Sequence, residues 1–202
     1  MCARYSISKT AEEIKARYNL KNLEGYQPIA KTAPGEVLPI ITSGQPDQLS
    51  FYKWGLVPIW AKDETIGRKM FNARAETLRE KPSFRQPFKK KRCLVPVDGF
   101  YEWGVEDGKK VPYFISNKKD NLFSLAGLYD QATINGKLIE SFTVITRKPT
   151  EQLAEIHERM PVIINKDQET DWLDLETDQN YLEYLLKTNI NNELIFKKII
   201  SK

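Results

Sequence analysis

GFYEWGVEDGKKVPYFIS, residues 99–116, decides the fold. Two aromatic, β-rich runs flank Asp107-Gly108, and an Asp-Gly pair in that setting marks a tight hairpin whose central residues take positive φ. Working outward, Asn135-Gly136 divides LAGLYD from LIESFTVIT in the same way. EVLPII, QLSFYKW, RCLVPV and RMPVII alternate or are rich in β-branched and aromatic residues, so they too read as strands. Helices are few and short. Thr10 and Glu13 form a capping box ahead of EIKARY, predicting a helix over about residues 10–18. NARAETLRE reads as a helix starting at Asn72, Thr150-Glu151 opens one that runs to about His157, and about residues 167–187 hold two more before ELIFKKII. Pro39, Pro58, Pro96, Pro112 and Pro161 sit around the strands, which favours edges, bulges and bends over flat central strands. No internal repeat or low-complexity linker divides the chain, and QPFKKKR is too short to separate domains. The reading is a single α+β domain over residues 1–202, with mainly antiparallel strands curled into a barrel-like core and short peripheral helices.

The 202 residues are enough to bury a real core, and 41% apolar with 29% charged residues is ordinary globular composition. Nothing approaches the apolar run of a membrane span, and SISKTAEEIKARY is no signal peptide, so the expected location is the cytoplasm without membrane contact. Two cysteines and one histidine argue against a structural zinc site, and no metal or cofactor is expected. Cys93 falls at an alternating position in RCLVPVDGF and reads as a core residue. The net charge of +4 permits nucleic-acid binding without requiring it, and the run KKKR at 89–92 reads either as a solvated loop or as a phosphate-facing patch.

Four stretches place polar or reactive residues amid apolar sequence: MCARY, FNARAET, VDGFYEW and IHERMPVI. Cys2 is the odd one, because a second residue ordinarily frays into solvent. With Met1 removed, it presents an α-amine and a thiol on adjacent carbons. Glu102, between Tyr101 and Trp103, either faces water between two inward aromatics or is a carboxylate in an apolar wall, its pKa raised by desolvation. His157 is either a satisfied helix-terminal residue or a general acid/base. Asn72 reads as a helix cap when taken alone.

Together, Cys2-x-Arg4, NARAET (72–77), RCLVPVDGFYEW (92–103) and IHERMPVI (156–163) closely resemble the SOS response-associated peptidase family, SRAP, and WGLVPIWAKD (54–63) is similar as well. The resemblance runs from residue 2 to about residue 173; Ala3 stands where the family commonly has glycine, and the tail from about 175 to 202 carries no family motif. It implies a DNA-damage response protein that senses abasic sites in single-stranded DNA and links itself to them through Cys2. The amine would condense with the sugar aldehyde and the thiol would close a thiazolidine ring. In free form both groups are partly nucleophilic near neutral pH, the α-amine with a pKa of about 7.7–8.0 and the thiol of about 8.5. Asn72 would orient the terminus or the sugar, Glu102 would move protons, and His157 would protonate the sugar oxygen or a leaving phosphate, allowing lyase-type strand scission. Peptidase activity would amount to removal of Met1. Arg4, Arg74 and Arg159 are the phosphate candidates within the matched motifs. Pro39 and Trp54 are candidates for wedging or stacking against bases, with Trp54 and Trp60 as plain core tryptophans the other reading. A monomer, nucleoid-associated during DNA damage, is expected. Two alternatives stand beside this one: an N-terminal-nucleophile cysteine amidohydrolase, and a basic single-stranded nucleic-acid-binding module without covalent chemistry.

Overall fold

A computed structural model describes residues 2–119, 121–187 and 194–199. Five strands close a barrel: β2 (Val37–Thr42), β3 (Gln45–Trp54), β5 (Arg92–Val97), β8 (Phe123–Ile134) and β9 (Lys137–Arg147), taken round in the order β9-β3-β2-β5-β8 and back to β9. All of these pairings are antiparallel except β3 with β9. A second sheet lies beside the barrel in the order β1 (Tyr5–Ser6), β6 (Gly99–Glu106), β7 (Lys109–Asn117) and β12 (Leu194–Lys198). Both predicted hairpins form with positive φ at both turn residues, Asp107 and Gly108, then Asn135 and Gly136. No helix among the described residues is long and apolar enough to cross a membrane.

Helix α1 (Ala11–Tyr18) starts at the predicted capping box: Glu13 N–H donates to Thr10 Oγ1 and Thr10 N–H to Glu13 Oε2. NARAETLRE departs from the predicted helix. Residues Asn72–Arg74 form strand β4, parallel to β9, and only a 3-10 turn follows at Ala75–Thr77. A free sheet edge beside Val144–Thr146 offers this segment backbone partners that outweigh its helix propensity. Asn72 therefore caps no helix.

Helix α2 (Pro82–Lys90) takes in most of QPFKKKR, with Pro82 tolerated in its first turn. The run KKKR is neither loop nor patch as a unit. Lys89 and Lys90 end α2, Lys91 Nζ pairs with Asp130 Oδ1 at 2.7 Å, and Arg92 is buried. Cys93 is also buried in the core. Helix α3 (Glu151–Ala154) is shorter than predicted, stopping before His157.

RMPVII is broken in two because it changes neighbours. In β10 (Met160–Pro161) it pairs with β9, and in β11 (Ile163–Ile164) it pairs with β8. Between them Val162 N–H donates to Ile145 O while Val162 O accepts from Ala126 N–H. The segment fills the gap where β8 and β9 diverge, and it delivers the residues before it to that end of the barrel. The two predicted tail helices form as α4 (Glu169–Leu173) and α5 (Gln179–Lys187).

Candidate active site

Strand β1 seats the N-terminus. Tyr5 pairs with Phe100, and Tyr101 N–H donates to Arg4 O at 2.9 Å, so the residues ahead of Tyr5 run antiparallel past Tyr101 and Glu102. Cys2 does not fray: it is fully buried, and its thiol is 3.8 Å from Arg4 O. Burial pushes the thiol pKa well above its ordinary value, and the neighbouring Glu102 charge adds to the rise. This corrects the expectation of a partly ionised thiol, because in this pocket the sulfur holds its proton.

Glu102 settles its two readings by strand parity. Phe100, Glu102 and Gly104 share the buried face of β6, while Tyr101 and Trp103 are the partly exposed ones. The carboxylate is inside and 1% exposed, and desolvation pushes its pKa up to about 7. A group titrating there exchanges protons readily at neutral pH.

Asn72 arrives from strand β4. Its Nδ2 donates to the Cys2 carbonyl at 2.8 Å, and its buried Oδ1 has no hydrogen-bond partner among the described residues. The amide thus fixes the N-terminal residue and keeps an acceptor in reserve beside it. Trp54 holds this strand in place, donating its indole N–H to Phe71 O at 2.8 Å and packing its ring 5.0 Å from that of Tyr5.

His157 follows α3, its N–H bonded to Leu153 O at 2.9 Å. Its Nε2 lies 3.9 Å from Glu102 Oε2, and its Nδ1 lies 3.1 Å from Arg159 N. Desolvation lowers the imidazole pKa, which favours the neutral ring. Gly104 lies under this segment: a Cβ there would stand 3.6 Å from Ile156 Cγ2, an ordinary contact, and a tighter 3.2 Å from Tyr113 Cε2. Cys2, Asn72, Glu102 and His157, spread over the whole chain, therefore converge. Among the described residues, no three His, Cys, Asp or Glu side chains group as a metal would need.

The expected DNA contacts divide. Arg4 is half-buried beside Cys2, and Arg74 is exposed two residues beyond Asn72 on the same strand. Arg159 is largely committed: both terminal nitrogens bond Glu76, at 2.7 and 2.9 Å, and one also reaches Thr146 O. Pro39 and Trp54 have no surface to offer a base, because β2 buries Pro39 and Trp54 is 1% exposed in the core. Trp60 is the opposite of a core residue: it and Ile59 are 53% and 69% exposed. Trp60 lines a cavity of about 450 Å3 with Lys62 and Lys69. Its spacing in WGLVPIW gives no sign of which tryptophan turns outward.

The family model for SOS response associated peptidase (SRAP) matches residues 1–202. The chain belongs to the SRAP family. It is 46% identical over 194 residues to the abasic site processing protein YoqW of Bacillus subtilis (strain 168), covering 93% of this chain and 87% of that one. It is 30% identical over 220 residues to the abasic site processing protein HMCES of Gallus gallus, covering 86% of this chain and 66% of that one. Among solved structures, a protein from Bacteroides thetaiotaomicron superposes with a TM-score of 0.90 at 32% identity, over 98% of this chain and 92% of that one. The SRAP fold is thus the setting in which these four side chains meet.

Proposed function

We propose that this SRAP protein processes abasic sites in single-stranded DNA by capturing them covalently on Cys2 after Met1 is removed, as part of a DNA-damage response. The observation that carries the reading is a second residue buried and hydrogen-bonded among Asn72, Glu102 and His157 where a chain end would ordinarily be mobile. The names of the relatives as abasic site processing proteins point the same way.

The ring-opened abasic sugar is an aldehyde. The freed α-amine of Cys2 adds to it, and the carbinolamine loses water to give an imine. The thiol then adds across the C=N bond: a C–S bond forms, the sulfur's proton ends on nitrogen, and a thiazolidine results with one water lost overall. Because the buried thiol keeps its proton, the amine is the first nucleophile and ring closure needs a base beside the sulfur. Glu102, titrating near neutrality, takes protons in one step and returns them in the next. Asn72 Oδ1 accepts from the freed amine or the sugar hydroxyl. His157 donates to the sugar oxygen. It also serves the competing outcome, in which the imine undergoes β-elimination and the 3′ phosphate leaves.

Arg4 and Arg74 neutralise the flanking phosphates, and Trp60 with Lys62 and Lys69 provides a stacking surface suited to a strand without sequence preference. The peptidase activity amounts to release of Met1, by the chain itself or by a cellular aminopeptidase, and the working unit is a monomer in the cytoplasm that joins the nucleoid during damage.

The test is a denaturing gel of protein, its N-terminus checked by intact mass, with a single-stranded oligonucleotide carrying one abasic site. A shifted band that requires both the lesion and Cys2, and is absent in Cys2→Ala, is the expected result. No band from correctly processed protein would leave a non-covalent binding module, and faster reaction with an amide would indicate an amidohydrolase.

A further inference from the structure

We propose that Glu76 is a positioning residue for His157, acting through Arg159. Glu76 lies in the 3-10 turn after Asn72–Arg74, and its carboxylate takes Nη1 and Nη2 of Arg159 at 2.7 and 2.9 Å. Nη2 of the same guanidinium donates to Thr146 O at 2.7 Å. Arg159 is thus clamped between two neighbouring elements, with its side chain only 12% exposed. With the Glu76 side chain 45% exposed, the pair contributes little as charge alone. Its value here is the backbone it holds.

That backbone carries both partners of one ring nitrogen. His157 Nδ1 is 3.1 Å from Arg159 N and 3.2 Å from Arg159 O. When Nδ1 is bare it accepts from the amide N–H, and when protonated it donates to the carbonyl. The ring can gain or lose its proton with a partner in either state, while Nε2 stays directed toward Glu102 at 3.9 Å. The charged groups about the imidazole are the N-terminal amine, which lowers its pKa, Glu102 from β6, Glu158 beside it in sequence, and the Glu76–Arg159 pair. The catalytic part of this inference rests on the role proposed above for His157; the structural part does not.

His157 is the chain's single histidine, so its ring resonances in isotopically labelled protein need no assignment. Glu76→Gln keeps the size of the side chain and removes its charge and one acceptor. Charge and position then predict opposite signs. If Glu76 acted only as charge, Arg159 would be left less compensated and the imidazole midpoint would fall further. If Glu76 positions the segment, the ring is released into water and the midpoint rises toward its ordinary value of about 6.5.

The expected result is a rise, with loss of exchange protection at the Arg159 amide and a roughly three- to tenfold slower reaction with abasic DNA. Glu76→Asp should restore part of each. Arg159→Lys, which keeps the charge but loses the two-pronged geometry, should reproduce the rise. In a His157→Ala background, Glu76→Gln should cost nothing further in rate. An unchanged or lowered midpoint with the Arg159 amide still protected would overturn the inference. If the midpoint rises but His157→Ala reacts as fast as wild type, positioning stands and the catalytic reading of His157 falls.

Discussion

Arg92 and Glu102 are both ionisable and both cut off from water, at 0% and 1% exposure, yet the fold treats them in opposite ways. Arg92 is surrounded by acceptors. Its Nε donates to Trp172 O, Nη1 to Phe88 O and Lys89 O, and Nη2 to Asp174 O, all within 2.9 Å. It ties the end of α2 to the C-terminal end of α4 and leaves those carbonyls satisfied. Glu102 is buried in a way that leaves its proton loosely held, with burial pushing its pKa up to about 7 and an imidazole nitrogen 3.9 Å away. A buried charge whose donors are used up is architecture. A buried charge poised between two protonation states is available for chemistry.

The largest effect expected from this contrast is at Arg92. Arg92→Met keeps much of the volume but orphans four carbonyls, which should cost on the order of 5 kcal/mol in urea denaturation. The protein that remains folded should still react with abasic DNA at the normal rate, because Arg92 touches nothing in the site. A cost below about 1 kcal/mol would mean that water replaces the guanidinium freely, and the contrast would dissolve.

Next comes Glu102, where the sign reverses. Its folded pKa lies above the unfolded value of about 4.3, so folding binds a proton through that window. The shift costs nothing below about pH 4, where both states are protonated. As pH rises, the unfolded chain releases its proton first, and folding loses stability until about pH 7. Above that the full penalty applies, roughly 4 kcal/mol. Glu102→Gln should therefore match wild type in stability at pH 4 and exceed it at pH 8, while forming the DNA adduct more slowly. Equal stability at pH 8 would place the carboxylate in a solvated setting and remove its claim to proton transfer.

The same contrast explains how far the sequence alone could be read. The hairpins at Asp107-Gly108 and Asn135-Gly136 and the capping box at Thr10 are local chemistry, and each forms where it was expected. Asn72 taken alone reads as a helix cap, and the edge of β9 that captures it instead lies some seventy residues away in sequence, at Val144. RMPVII reads as one strand, and only the divergence of β8 and β9 splits it. In the site, the residue types in MCARY, FNARAET, VDGFYEW and IHERMPVI were legible, and their convergence came from resemblance rather than spacing. Alternation in GFYEW marks two faces without saying which is the core, and only the packed structure assigns Glu102 to the buried one. For Trp54 and Trp60, six residues apart in one motif, side-chain type could not decide that the first is core and the second surface.

The smallest perturbation bears on how Glu102 is matched with its histidine. Gly104 shares the buried face of β6 with Glu102, and its bare Cα lets Ile156, the residue before His157, sit against the strand. An added methyl would lie 3.2 Å from Tyr113 Cε2, which must give by a few tenths of an ångström, and 3.6 Å from Ile156 Cγ2, an ordinary van der Waals contact. Tyr113 is only partly buried and can yield, and alanine is the better strand residue, so Gly104→Ala should change stability by less than about 1 kcal/mol. Ile156 can keep its place, and His157 with it, so on the proposed mechanism strand scission and adduct formation should both stay near their wild-type rates. Slowing of scission alone would mean that Ile156 has yielded and carried His157 away from Glu102. Measuring both rates on one oligonucleotide, with a urea midpoint as control, separates the cases. Slowing of both steps alike would mean that the carboxylate itself has moved, and that β6, rather than the segment carrying His157, is the softer wall of the site.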